Sequence, residues 1–116
     1  MVNEERLVQH FMKMVEISSP SGEEAVFRDY LIKYFNDRGA VCVEDQAGEM
    51  LEGNSGNLLV RIAGTADVKP LMFLTHMDTV FPGGDIKPER GDDGIIRSAG
   101  KTILASDDKA GVAAIL

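Results

Sequence analysis

Apolar positions recur with a helical period over the first third of the chain. Between residues 3 and 17, Leu7, Phe11, Met14 and Val15 fall at offsets of 0, 4, 7 and 8, the stripe of an amphipathic helix with one buried face. His10 lies beside that stripe and reads as a helix-flank residue. Pro20 disfavours helix at Ser19 and ends the first helical segment. Ser21, with Glu24 three residues later, matches a capping box for a second helix. Val26, Phe27, Tyr30, Leu31, Tyr34 and Phe35 continue that helix, and Gly39 stops it. With capping assigned to Ser21 and no base nearby in sequence, the serines at 18, 19 and 21 read as structural rather than nucleophilic.

The period then changes. Ala40 to Glu44 reads as a short strand with Cys42 buried as a small hydrophobe, and residues 45 to 56 as a polar, turn-rich loop. Asn57 to Ile62 reads as a second strand. Leu71 to Thr75, apolar on both faces and preceded by Pro70, reads as a third strand inside a sheet covered on both sides. Asp92-Asp93-Gly94 predicts a hairpin turn leading into Ile95, Ile96 and Arg97. The acids of this region do not have the spacing of an EF-hand, so a solvated turn is the better reading. Last, Asp107 and Asp108 stand where a helix would begin, with Val112, Ala113, Ile115 and Leu116 on its buried side. That helix stops in the middle of an apolar run, so the chain is expected to be the N-terminal piece of something longer. Two helices, then strands, a long loop and a further helix indicate an α/β domain.

Composition narrows the function classes. The 116 residues are 44 % hydrophobic and 27 % charged, the balance of a soluble globular protein. Nineteen acids against twelve bases give a net charge of −7, which argues against a nucleic-acid partner, since phosphate binding relies on clustered Lys and Arg. No apolar run approaches the roughly 20 residues that span a bilayer, so no membrane partner is expected. Acids stand near the N-terminus where a signal peptide has bases, and the single cysteine excludes an internal disulfide; both favour a cytoplasmic location.

The candidate chemistry sits in Thr75-His-Met-Asp-Thr79. Alternate residues of a strand point the same way, so His76 and Asp78 can converge just past its C-terminal end, where open α/β sheets place their ligands. A neutral imidazole can bind zinc through one nitrogen, and a carboxylate accepting the other N–H fixes the tautomer. A single ligand cannot hold a metal. A second acidic centre, Asp107-Asp108, follows about thirty residues later at a loop-to-helix junction. The helix dipole accounts for one acid there as well as for the other. A carboxylate at that place could bridge two metal ions about 3.5–4 Å apart, as in two-metal hydrolases.

Taken together, Thr75-His-Met-Asp-Thr79 and Ala105-Ser-Asp-Asp-Lys-Ala-Gly111 resemble the dizinc exopeptidases of the M20 family, nearest to its tripeptidase (peptidase T) branch. Ser18-Ser-Pro-Ser-Gly-Glu-Glu24 and Gly56-Asn-Leu-Leu-Val60 are also similar to that family's N-terminal region, so the resemblance covers essentially the whole chain. It implies the first part of a three-layer αβα catalytic domain of the zinc-aminopeptidase (phosphorylase/hydrolase-like) type, with two helices leading into a mixed sheet. It implies His76 and Asp107 as metal ligands, Asp107 as the bridge between two zinc ions (cobalt or manganese being alternatives), and Asp78 as the catalytic-site carboxylate that orients His76. A cis peptide bond between Asp107 and Asp108 is implied too. Ser106 departs from the alanine usual in near relatives. A paired Glu-Glu segment with the general base, a further Asp, a distant His and a dimerising lid domain would lie beyond residue 116, the whole chain 1–116 being the N-terminal portion. The implied activity is zinc-dependent hydrolysis of short peptides by a homodimeric full-length parent, with this piece inactive alone.

Three other readings compete. Ser106-Asp-Asp-Lys109 fits the Ser-x-x-Lys pattern of serine acyl-enzymes at a helix start, although flanking acids would raise the lysine pKa rather than lower it. A non-catalytic binding or scaffold relative with a degenerate site, or an amide deacylase of the same family, would carry the same two motifs.

Overall fold

The computed structural model describes residues 2–116. Helix α1 (Glu4–Val15) is capped by Asn3, whose Oδ1 accepts the Arg6 N–H, and it buries Phe11, Met14 and Val15. Helix α2 (Ala25–Asn36) buries Phe27, Leu31 and Phe35, an i, i+4, i+8 stripe. Strand β1 (Val41–Glu44) pairs antiparallel with β2 (Leu58–Arg61), Cys42 opposite Val60. A single-turn helix, α3 (Ala47–Met50), occupies part of the intervening loop, which the sequence reads as turn alone. Strands β3 (Pro88–Arg90) and β4 (Ile96–Ser98) form the expected hairpin, with Gly94 at a positive φ of 78° that a side chain would disfavour. Helix α4 (Ser106–Ile115) closes the order and packs on α1. The core joins α1, α2 and α4 through Phe11, Met14, Val15, Phe27, Leu31, Phe35, Val112 and Ala113, with Ile86 and Ala105 beside them.

The α/β class holds, and its strand component consists of two antiparallel pairs and one isolated parallel bridge, Pro20 to Thr79. The third strand expected at Leu71 to Thr75 is not formed. Leu71, Met72, Phe73 and Leu74 stand 71–86 % exposed. The residue pattern is that of a covered central strand, but no described strand pairs with the segment on either edge.

The second correction concerns Ser21. The capping box does not form: the N-terminal residue of α2 donates its N–H to Asn54 Oδ1 at 2.9 Å, and Glu24 turns back to accept the Gly22 N–H at 2.7 Å. An asparagine from a distant loop has replaced the local cap, which frees the Ser21 hydroxyl for another partner.

Candidate metal centre

The stretch from Ser19 to Ser21 is stapled to the stretch from Met77 to Thr79. Thr79 donates its N–H to Ser19 O at 2.8 Å, and Ser19 Oγ donates to Met77 O at 2.8 Å. Ser19 and Thr79 are buried, so these bonds are shielded from competing water. The register carries Ser21 to Asp78, where Ser21 Oγ donates to Oδ2 at 2.5 Å. The other oxygen, Oδ1, and the Asp78 carbonyl each lie 3.0 Å from His76 Nδ1. The opposite ring nitrogen, Nε2, lies 2.9 Å from Oδ1 of Asp107, thirty-one residues away. His76, Asp78 and Asp107 therefore come together, and with Thr79, Ile103 and Ser106 they line an open depression of about 240 Å³.

Asp107 and Asp108 have different work. Helical dihedrals are interrupted at both, and the peptide bond between them is cis, as the resemblance implies. Asp108 Oδ1 accepts the Gly111 N–H at 3.0 Å, the bond of an N-cap, while Oδ2 accepts from Thr75 Oγ1 at 2.6 Å. The helix start thus explains Asp108 and leaves Asp107, whose side chain is 94 % exposed, turned to His76.

Charge follows the bonding. The Asp107 carboxylate raises the His76 pKa above its usual value, with Asp78 adding to it and partial burial opposing. The Ser21 hydroxyl, ahead of His76, holds the Asp78 carboxyl below its ordinary range. Thr75 does the same for Asp108.

Lys109 is 1 % exposed. Its Nζ donates to Ile17 O and sits 4.7 Å from the Phe27 ring centroid, and burial brings its pKa down to about 8. The amine is bonded to the Ile17 carbonyl, and no hydrogen bond between Lys109 and Ser106 is made, so the geometry gives the Ser-x-x-Lys reading no support.

These contacts close a ring: Ser19 holds the 77–79 stretch, Ser21 holds Asp78, Asp78 holds His76, His76 faces Asp107, and Lys109 returns to Ile17, two residues before Ser19. Ser19, Ser21, Thr75 and Lys109 were not legible as site-bracing residues from spacing. For Lys109 a signal existed, because it shares the buried helical stripe of Val112 and Ala113, a place where a lysine needs a reason.

With Nδ1 donating its proton to Asp78, Nε2 presents a lone pair to a carboxylate oxygen, an apposition made favourable only by a cation, either a proton or a metal. The donor chemistry therefore fits zinc at His76 Nε2 and Asp107. It fits as part of a shell: among the described residues no group of three or more His, Cys, Asp or Glu gathers to hold a metal, and zinc takes four ligands.

Comparison with known proteins gives relatives of a consistent kind. No family model matches the chain. A tripeptidase from Staphylococcus aureus subsp. aureus Mu50 superposes with a TM-score of 0.94 at 40 % identity, over 99 % of this chain and 31 % of that one. Aminopeptidase PepT from Bacillus cereus ATCC 10987 superposes with a TM-score of 0.93 at 43 % identity, over 98 % of this chain and 31 % of that one. The uncharacterized protein YqjE of Bacillus subtilis strain 168 is 39 % identical over 115 residues, 99 % of this chain and 31 % of its own length. The chain spans about a third of the length of each. By sequence and by fold it is a relative of the tripeptidase and aminopeptidase PepT proteins, as its two motifs imply.

Proposed function

We propose that this chain is the N-terminal part of an M20-type metallopeptidase that hydrolyses short peptides in the cytoplasm, with two zinc ions in its complete active site. The observation that carries the reading is the pairing of His76 Nε2 with Asp107 Oδ1 at 2.9 Å, while Asp78 occupies Nδ1. His76 would be a ligand to one zinc, Asp107 the bridge to the second, and Asp78 the residue that keeps the imidazole in the ligating tautomer. When bound, the metal pair would supply an acidified water and polarise the scissile carbonyl. The chain's own part is to hold two donors at a fixed separation and to keep the Nε2 lone pair directed at the site. The general base, the remaining ligands and the dimerising lid that the resemblance implies would have to be supplied from outside these 116 residues.

Two measurements test this. Zinc added to the 15N-labelled chain is expected to shift the His76 Nε2 resonance with weak affinity, weakened by about 10–100-fold in Asp78→Asn, which loses the residue that orients the imidazole, and further in Asp107→Asn, which loses a ligand. No response at His76 would sink the ligand assignment. The chain alone is expected to leave tripeptides intact in the presence of zinc. A chimera in which it replaces the matching third of B. cereus PepT is expected to cleave them, and to lose that activity with His76→Ala. A folded but inactive chimera would count against the peptidase reading.

A further inference from the structure

We propose that Ser21 is a positioning residue of the site, acting through Asp78 on the orientation of the His76 ring. The inference rests on the reading of His76 as a ligand, although the bond pattern behind it involves no metal.

A carboxylate that receives an imidazole N–H on one oxygen is still free to rotate about its Cβ–Cγ bond, and the ring can follow it. A second contact on the other oxygen removes that freedom. Ser21 supplies it, donating to Oδ2 at 2.5 Å while Oδ1 stays 3.0 Å from His76 Nδ1. Ser21 is also anchored independently of Asp78. Ser19, two residues earlier, is buried and bonded to both Met77 O and the Thr79 N–H, and Pro20 bridges to Thr79. The backbone bearing the hydroxyl is therefore fixed to the same stretch that bears the carboxylate, with His76 just before it.

The alternative task for this serine, capping α2, is taken by Asn54. No second partner competes for the hydroxyl among the hydrogen bonds of the described residues. Its position at the solvent edge sets the expected size of the effect. Water can replace the hydroxyl as a donor, but water carries no tether, so what is lost on its removal is orientation rather than charge neutralisation.

The test is a double-mutant cycle on the metal-free chain, read by the water-exchange rate of the His76 Nδ1 proton. Ser21→Ala is expected to speed exchange about fivefold, the equivalent of one hydrogen bond of ordinary net strength. Ser21→Thr, which keeps a hydroxyl, should restore the slow rate. In the Asp78→Asn background Ser21→Ala should add nothing, because the two side chains act as one unit. A Ser21→Ala chain that exchanges at the wild-type rate overturns the proposal, as does an equal effect of Ser21→Ala with and without Asp78. So does a wild-type proton that exchanges as fast as one on free imidazole. If Ser21→Ala weakens folding, the threonine variant decides, since a hydroxyl one methyl larger must still reproduce the slow proton. Zinc titration of the same variants separates this from the metal reading: an unresponsive His76 with an intact cycle refutes the ligand role alone, whereas a responsive His76 without coupling refutes Ser21.

Discussion

Glu44, at the end of β1, offers a sharp test of how the chain is held together away from the site. Its Oε1 accepts the Gly56 N–H at 2.7 Å and Arg28 Nη1 at 2.6 Å, with Ser55 Oγ more distant at 3.5 Å. One carboxylate thus ties α2, β1 and the loop before β2. The Arg28 side chain is 16 % exposed and that of Glu44 29 %, so the pair lies between the surface and buried limits. Glu44→Gln keeps an acceptor of the same shape and removes the charge. Charge-assisted bonds are about twice as strong as neutral ones, whose net worth is about 1 kcal/mol, so two of them lose about 2 kcal/mol together. Arg28 retains Asp29 as a partner at 2.9 Å, which keeps the loss well below the 3–5 kcal/mol of a fully orphaned buried charge. For a domain of this size that corresponds to a fall in Tm of about 8 °C. Urea and thermal unfolding followed by circular dichroism would measure it. The carboxyl pKa is lowered on folding, first by the Gly56 N–H and then by Arg28, from an ordinary value of 4.5. Its stabilisation is therefore complete above that value and is lost as pH falls through the lower, folded one. The wild-type minus Glu44→Gln difference should be flat from pH 6 to 8 and shrink below about 4.5. A difference under about 0.5 kcal/mol at neutral pH, or one that persists unchanged into acid, would refute the reasoning.

Three further outcomes follow from packing. Phe27 is fully buried between the helices, and Phe27→Ala is expected to cost about 3–5 kcal/mol by denaturant titration. At Gly56 an added Cβ would fall 2.0 Å from Asp45 O, a backbone atom that cannot swing aside, so Gly56→Ala should destabilise by about 1–3 kcal/mol or leave the chain unfolded. Leu71→Lys with Phe73→Lys, at residues 84 % and 71 % exposed, should raise the soluble fraction and lower binding of a hydrophobic dye; an unchanged dye signal would show that the segment is covered.

The helices were legible because their burial is set by local period, as the stripes of α1 and α2 show. Strands β1 and β2 were legible singly, as short apolar runs on either side of a polar loop, and the β3–β4 hairpin by the turn at Gly94. Leu71 to Thr75 misled because two-sided apolarity reports a tendency to be covered, while a ladder needs a neighbouring strand, and no described strand pairs with this segment. Ser21 misled in the opposite sense. The capping box is a local pattern, and two long-range bonds, Ala25 N–H to Asn54 Oδ1 and Ser21 Oγ to Asp78 Oδ2, outcompeted it. His76, Asp78 and Asp107 could be named in advance because two short motifs carry them. The bracing around them could not, since it is made by side chains meeting main-chain oxygens and carboxylates across the fold, and those contacts have no spacing to read.

The ring of contacts around His76 also has a consequence for the order of folding. It joins Lys109 to Ile17 across 92 residues and His76 to Asp107 across 31. Closing such loops costs chain entropy before any contact offsets it, so long-range pairings form late. Helices α1 and α2 and the β3–β4 hairpin can begin from local contacts, whereas the apposition of His76 and Asp107 needs α4 in place, since Asp107 belongs to it. Until residue 107 has been made and α4 has formed, His76 Nε2 has no carboxylate opposite it, whereas its Nδ1 side is already held by Asp78 and Ser21.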